Sequence, residues 1–517
     1  MPSYNMFHYS LFNTMLFKSF MLICFTIAII YFFCNWCQKI FFIKRLNLPE
    51  SKAMPLLGTS YIFLYGIFGG VLNVVNKMAE NPSPFKLHLA HNVLIGIYEP
   101  DQVKIVLRSK NCLDKSIIYK YAEPLFGTGL LTAPVHIWTR SRRMIAPIFN
   151  AYMLKQFFEV FVKEALVLNE ELEQIAQNNN KIVFLKYVTK CVLKITCDTM
   201  DIKMETNIFH QFMKAIKRLK EIARYRFWKI YLHPNIIFNL TAMGREQKKI
   251  LNFMQAVVDK MIQQRINHSN TVKYNDNTTD CSSLDMLIAS CHIEKFTRKE
   301  ICDNIITLII VGNDSITFTT HLVVFMLANF PEIQEKVYKE MLDIYGMETP
   351  NTTPVKYDDI QRMHYLDCVI KETLRIFPTV PLIGRKLMED LKIGDHILPK
   401  GTDVVIPIIH LHRNKKYWPN PLTFNPDRFL PDKIKDRPSY YYIPFSDGPR
   451  NCIGINYGMI VIKVILATLV RAFIFKVDKS IDIKDIQLNT YIILSTIKPL
   501  EVKIEKRNLQ QNSVKIC

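Results

Sequence analysis

Disulfide bonding is the first thing this sequence lacks. Its twelve cysteines form no disulfide framework, and the single C-x-x-C, Cys34 to Cys37, has no second pair at metal-site spacing. That pair sits in an apolar N-terminal stretch, which argues against a structural zinc site. The chain therefore reads as one that works in a reducing compartment, where sequons such as Asn239-Leu240-Thr241 stay unmodified. Also missing is any basic run interleaved with aromatics. The surplus of 66 Lys+Arg over 46 Asp+Glu, a formal +20, thus marks no nucleic-acid face and better suits an anionic membrane surface or acidic protein partners. Met1 to Phe17 carries no Lys or Arg, and no small-residue cleavage site follows the first long apolar run. An uncleaved anchor is expected rather than a removed signal peptide.

That run, Met15 to Trp36, is long enough to span a bilayer, with Lys18 placed to snorkel to the interface. Lys39, Lys44 and Arg45 follow it, so the positive-inside rule puts the C-terminal bulk in the cytosol. Pro49, Pro55 and Gly58 make a stiff connector. Length alone suggests about three domains, but the motifs described below run from Trp138 to Gly454 and serve one site. Tyr61 to Tyr98 holds the expected first short strands, and Ala151 to Ile262 is helical in texture. Asn267 to Ser283 is a polar loop, and Tyr491-Ile492-Ile493-Leu494 alternates as terminal strands do.

One stretch organises the rest: Phe445-Ser446-Asp447-Gly448-Pro449-Arg450-Asn451-Cys452-Ile453-Gly454. The apolar segment behind it, Met459 to Phe475, is interrupted only by Lys463 and Arg471 and reads as a buried helix. Cys452 then lies at a helix N-terminus, where amide N–H groups and the helix dipole favour a thiolate. Gly448 and Gly454 allow a tight turn and close approach to a large flat ligand, and Arg450 supplies a fixed cation. A thiolate, a cation and a close backbone are what an axial haem ligand needs. Upstream, Trp138 and Arg142 share a helix face and suit a haem propionate. Thr297-Arg298-Lys299-Glu300 is a capping box that opens a long helix. Within it the apolar run Ile305 to Val311 ends at Gly312-Asn313-Asp314-Ser315. A glycine and a carboxylate are poor choices for packing there; Gly312 loosens the helix, and Asp314 with Ser315 forms a proton relay into the site. Asp358 to Phe377 reads as another helix, stopped by Pro378, on which Glu372 and Arg375 share a face. No motif makes His412 an axial ligand.

Taken together, the string around Cys452 resembles the haem-binding loop of the cytochrome P450 superfamily at Phe445, Gly448, Arg450, Cys452 and Gly454. Trp138 with Arg142 resembles its C-helix, and Gly312 to Ser315 its oxygen-binding I-helix, with Ser315 where a threonine is usual. Phe424-Asn425-Pro426-Asp427-Arg428-Phe429 resembles its P-x-R-F segment, and Gly127 to Leu131, followed by Arg142 to Pro147 and Phe149, resembles the microsomal, insect-like family 4 in particular. The resemblance implies a mainly α fold with a minor β domain, a cytochrome P450 fold behind an N-terminal transmembrane helix. It divides the chain into an anchor (1–38), a basic, proline-rich connector (39–58), a haem-thiolate catalytic domain (59–506) and a polar tail (507–517).

It implies haem b with Cys452 as axial ligand to the iron, and Trp138, Arg142, Arg385, Phe445 and Arg450 around the cofactor. Asp314 and Ser315 are the implied catalytic pair, and Glu372, Arg375 and Arg428 a buried structural triad. The implied activity is a monooxygenase that inserts one oxygen atom from O₂ into a C–H bond of a lipophilic substrate, such as a fatty acid or another long-chain lipid. The expected partners are NADPH-cytochrome P450 reductase and cytochrome b5, at the endoplasmic reticulum membrane. A haem-thiolate hydroperoxide isomerase and a non-catalytic haem binder are the alternatives; the intact relay speaks against both. One departure matters. Many family 4 members carry, just before the I-helix glycine, a glutamate that forms an ester with the haem, and here that position is Val311, so no covalent link is expected.

Overall fold

The computed structural model describes residues 19, 22, 23, 26, 48–50, 59, 71–89, 92–177, 181–271, 283–294, 296–435, 439–490 and 492–507. The anchor and connector expected from the sequence fall largely outside these residues, as do most of the 267–283 loop and nearly all of the polar tail.

The longest elements are helices. They are α1 (Pro100–Arg108), α2 (Val135–Ile145), α3 (Ala151–Ala176), α4 (Phe184–Thr199), α5 (Thr206–Trp228), α6 (Ala242–Thr271), α7 (Ser283–Glu294), α8 (Arg298–Asn329), α9 (Pro331–Tyr345), α10 (His364–Ile376) and α11 (Ile455–Ala472). α6 reaches Thr271, four residues beyond where the polar composition begins at Asn267. The strands are short: β1 (Phe85–Leu89), β2 (Asn92–Gly96), β3 (Ile383–Lys386), β4 (Leu391–Ile393), β5 (His396–Leu398), β6 (Asp403–Ile406), β7 (Phe473–Lys476), β8 (Leu488–Thr490), β9 (Leu494–Thr496) and β10 (Lys503–Lys506). One sheet runs β1-β2-β6-β3, with β2 parallel to β6 and β3 antiparallel to it, pairing Arg385 with Val404. The remaining strands form β4-β5, β8-β9 and β7-β10 pairs. This is the mainly helical fold with minor β structure that the sequence implies.

α8 is the axis of the molecule. Its N-terminus carries the expected capping box: the Glu300 N–H donates to Thr297 Oγ1 at 3.2 Å, and the Thr297 N–H donates to Glu300 Oε2 at 2.8 Å. Most of its residues are buried on every side, as α4, α6, α10 and α11 pack around it. α8 and α11 are both long and apolar enough to cross a membrane, yet 78% and 72% of their most apolar windows are buried, so they are core helices.

Two boundaries differ from the sequence expectation. α11 stops at Ala472, and Phe473–Lys476 turns into β7, pairing with β10. The apolar run continues across that junction, so hydropathy alone gives no sign of the switch. The single helix expected over Asp358 to Phe377 is instead a 3-10 turn, Tyr357–Gln361, followed by α10. The cause is tertiary. Glu340 on α9 accepts the N–H groups of Tyr365 and Leu366 at 2.6 and 2.9 Å, which gives α10 an N-terminus of its own. α8 runs on through Gly312, where a Cβ would meet only Thr196 Cγ2, at 3.9 Å.

Candidate haem-thiolate site

The loop before α11 folds back on itself. The Cys452 N–H donates to Phe445 O at 3.0 Å, and the Asn451 N–H to Gly448 O at 3.1 Å. Gly448 has φ +72°, and a Cβ there would lie 2.0 Å from Leu107 O, so only glycine fits. Gly454 caps α11, which places Cys452 just ahead of the helix as expected. The Cys452 side chain is open to a cavity of about 270 Å³.

One end of that cavity is cationic. Lys115, Arg142, Arg385 and Arg450 line it together with Trp138 and Tyr119, and among the described lining residues there is no carboxylate. Arg450 lies 4.5 Å over the Trp138 ring, and its Nη2 donates to Ala133 O at 2.6 Å. Its Nε and Nη1 are buried with no partner. Burial, then the neighbouring Arg385, pulls the Arg450 guanidinium down to about 9. Arg385 is itself buried, held by Gly384 O at 3.0 Å and Ser446 Oγ at 3.3 Å, and burial lowers it too. Lys115 stands 4.4 Å over the Tyr119 ring, and burial, then Arg385 and Arg450, lowers its ammonium well below the usual range. Clustered cations with unused donors require an anion, so this end fits the carboxylates of a flat cofactor. An open thiol on the same cavity completes the fit to a haem.

Arg142 and Cys452 each show a feature that the sequence did not reveal. Arg142 does share a face of α2 with Trp138, but its Nη1 and Nη2 donate to Asn451 O and Oδ1, each at 2.8 Å. It staples the cysteine loop to α2 while lining the cavity, rather than serving only the cofactor edge. Burial pushes the Cys452 thiol up; the Gly454 amide and Arg142 pull the other way and are outweighed. A coordinated metal would keep this sulfur deprotonated against that burial.

α8 supplies Thr307, Leu308, Val311, Gly312 and Ser315 to the cavity wall. Ser315 Oγ donates to Val311 O at 2.8 Å. Asp314, its neighbour, is not among the lining residues. It is buried, and its Oδ1 accepts from Lys220 Nζ on α5 at 2.9 Å while Oδ2 has no partner. The pair read from the sequence as one relay is thus split, with Ser315 at the cavity and Asp314 tied to a lysine.

The triad residues do come together. Arg375 Nε and Nη2 donate to the two Glu372 oxygens at 2.7 and 2.8 Å, and both side chains are fully buried. Arg428 Nε stands 3.5 Å from Glu372 Oε1, and its Nη2 donates to Pro419 O at 2.7 Å. Arg375 Nη1 also donates to His412 O at 2.9 Å. His412 in turn accepts the Ile443 N–H on Nε2 at 2.9 Å, two residues before Phe445. Burial, then Arg375, lowers the His412 imidazole to about 3, which fits a neutral ring accepting that bond. Sequence reading set His412 aside as a ligand and missed this bridging position. It also missed Lys115 and Tyr119, because no motif surrounds them.

Comparison with known proteins agrees with this geometry. The family model described as Cytochrome P450 matches residues 30–504. The protein named Cytochrome P450 4c21 of Blattella germanica is 31% identical, covering 89% of this chain and 94% of its own length. Cytochrome P450 4V2 of Homo sapiens is 30% identical, covering 89% of this chain and 90% of its own. Cytochrome P450 4c3 of Drosophila melanogaster is 32% identical over the same shares.

Proposed function

The chain belongs to the cytochrome P450 family, and on that premise we propose that Cys452 is the axial ligand of its haem iron and that the substrate is a long-chain lipid. Members of this family are haem-thiolate monooxygenases, oxidoreductases that bind haem b and draw on O₂ and a redox-partner reductase, and with Val311 before Gly312 this chain holds its haem without a covalent link. When bound, the haem supplies the oxygen chemistry, and electron density from a thiolate ligand favours O–O cleavage.

The observation that carries the residue assignment is the open Cys452 sulfur sharing one cavity with Arg385, Arg450 and Lys115, three cations in a lining that holds no carboxylate among the described residues. Arg450 and Trp138 would hold one edge of the cofactor, Arg385 and Lys115 would add charge there, and Phe445 lines the same cavity as the sulfur. Ser315 holds a proton at the cavity wall. Asp314 takes up a proton, from Lys220 or from water, as that ion pair opens and passes it on to Ser315; its unpartnered Oδ2 is the oxygen free to carry it. Glu372, Arg375 and Arg428 hold the loop from behind without touching the substrate.

A lipophilic substrate suits walls built from Leu130, Leu131, Leu308, Val311 and Val380. Similarity to family 4 supports a fatty acid or related lipid, electrons from NADPH through a membrane-bound reductase with cytochrome b5 as an auxiliary donor, and an N-terminal anchor at the endoplasmic reticulum. The formal charge of +20 suits acidic partners. The terminal methyl of a fatty acid has a stronger C–H bond than the neighbouring methylene, so terminal attack needs a rigidly held chain. Val311 offers a branched apolar side chain and no ester at that wall, so a mixture of terminal and near-terminal alcohols is expected. Turnover of saturated acids of twelve to sixteen carbons with NADPH and reductase tests this. Near-exclusive terminal alcohol would refute the argument from Val311, and no NADPH-dependent product with any acid would refute the substrate class.

A further inference from the structure

Two adjacent side chains of α8 reach out of the helix to hold the loop at residues 127–132. Asp303 Oδ2 accepts the Thr128 N–H at 3.0 Å and the Thr128 Oγ1 hydroxyl at 3.2 Å. Asn304 Oδ1 accepts the Leu130 N–H at 2.9 Å, while its Nδ2 donates to Glu300 O at 2.8 Å and Ser141 Oγ at 3.3 Å. The loop closes on itself, with Thr132 Oγ1 donating to Gly127 O at 2.9 Å. It is also built to wrap these side chains. Gly127 has φ +53°, and a Cβ there would lie 2.1 Å from Asp303 Oδ2; one at Gly129 would lie 2.1 Å from Thr307 Oγ1. Asp303 is 3% exposed, with Lys299 Nζ at 3.2 Å on its solvent side. Burying a carboxylate is costly unless its hydrogen bonds are made, so Asp303 is a poor residue for simple packing.

The next residues of both partners face the cavity. Leu130 and Leu131 follow the clamped backbone, and Thr307 and Val311 lie one and two turns along the same stripe of α8 as Asp303. We infer that Asp303 and Asn304 are positioning residues that fix the Leu130-Leu131 wall against α8 and so set the shape of the substrate cavity. They touch neither the substrate nor the cofactor. They act through two loop amides, two residues apart, which fixes the loop's register against the helix. The inference rests on the haem-cavity reading only for the spectral half of its test.

The test uses the full-length, haem-loaded protein and the variants Asp303→Ala, Asp303→Asn and Asn304→Ala. Amide hydrogen exchange is followed in the peptide covering residues 127–132. Spectral titration compares two haem-coordinating probes, imidazole and the bulkier phenylimidazole. Asp303→Ala should speed exchange in that peptide by about tenfold and shift the affinity ratio of the two probes by about fivefold or more. Asn304→Ala should act in the same direction. Asp303→Asn keeps an acceptor for the Thr128 N–H and should stay within about twofold of the parent on both readouts. Unchanged exchange in Asp303→Ala and Asn304→Ala would overturn the inference. Faster exchange with an unchanged probe ratio would overturn it too, because the clamp would then hold the loop without shaping the cavity. If Asp303→Ala does not fold, Asn304→Ala decides. If the parent protein binds no haem, the site reading falls, and the clamp stands or falls on exchange alone.

Discussion

Ser315 and Asp314 are neighbours in sequence but face different partners, one the cavity and the other Lys220. A relay built from them must transfer its proton while Asp314 is released from, or shared with, that lysine. Asp314→Asn and Ser315→Ala should each slow product formation by about 10²-fold or more, with more hydrogen peroxide released per NADPH. Ser315→Thr keeps the hydroxyl and should be tolerated. Product formation unchanged in both deleterious variants would remove the pair from the mechanism. The sequence made these residues legible because a carboxylate and a glycine interrupt an apolar helix. It could not reveal Lys220, which lies 94 residues away and meets Asp314 only when α5 crosses α8. Cys452 was legible for a similar reason, since its loop is contiguous. The direction of its titration was not, because burial is a property of the fold.

Among the elements, α10 shows how a structural motif supports a chemical one. Glu372 holds Arg375 in a bidentate pair, Arg375 holds His412, and His412 holds the backbone that enters the cysteine loop. Removing one partner of a buried pair leaves an uncompensated charge, at about 3–5 kcal/mol. Glu372→Ala should therefore fail to accumulate haem-loaded protein. Arg428→Ala should be milder, because Arg428 stands further from Glu372 and spends its donors on carbonyls. Haem content per polypeptide after expression checks both. Full haem loading of Glu372→Ala would show that the triad does not support the loop. The spacing of Glu372 and Arg375 was readable from the sequence as one helix face. The ends of the surrounding elements were not, since Glu340 starts α10 and pairing with β10 ends α11.

For the molecule as a whole, the buried His412 couples stability to pH. Its folded value near 3 lies below the ordinary value near 6.5. The unfolded chain then binds the proton that the folded chain refuses, so stability is full above about pH 6.5 and falls as the pH drops toward 3. By about pH 4.5 this one group removes roughly 2–3 kcal/mol. His412→Gln should lower the thermal midpoint of the haem-loaded protein at neutral pH but flatten its decline on acidification. An equally steep decline in the variant would assign the acid sensitivity to other groups, such as His321, which burial lowers to about 4.

The central claim is that Cys452 holds the haem iron as a thiolate, and its most direct test is the spectrum of the reduced protein with carbon monoxide. The parent chain should show the red-shifted Soret band of thiolate ligation, and Cys452→Ser should lose it while the remaining fold persists by circular dichroism. A Cys452→Ser variant that kept the red-shifted band, or a haem-loaded parent that never showed it, would contradict the account.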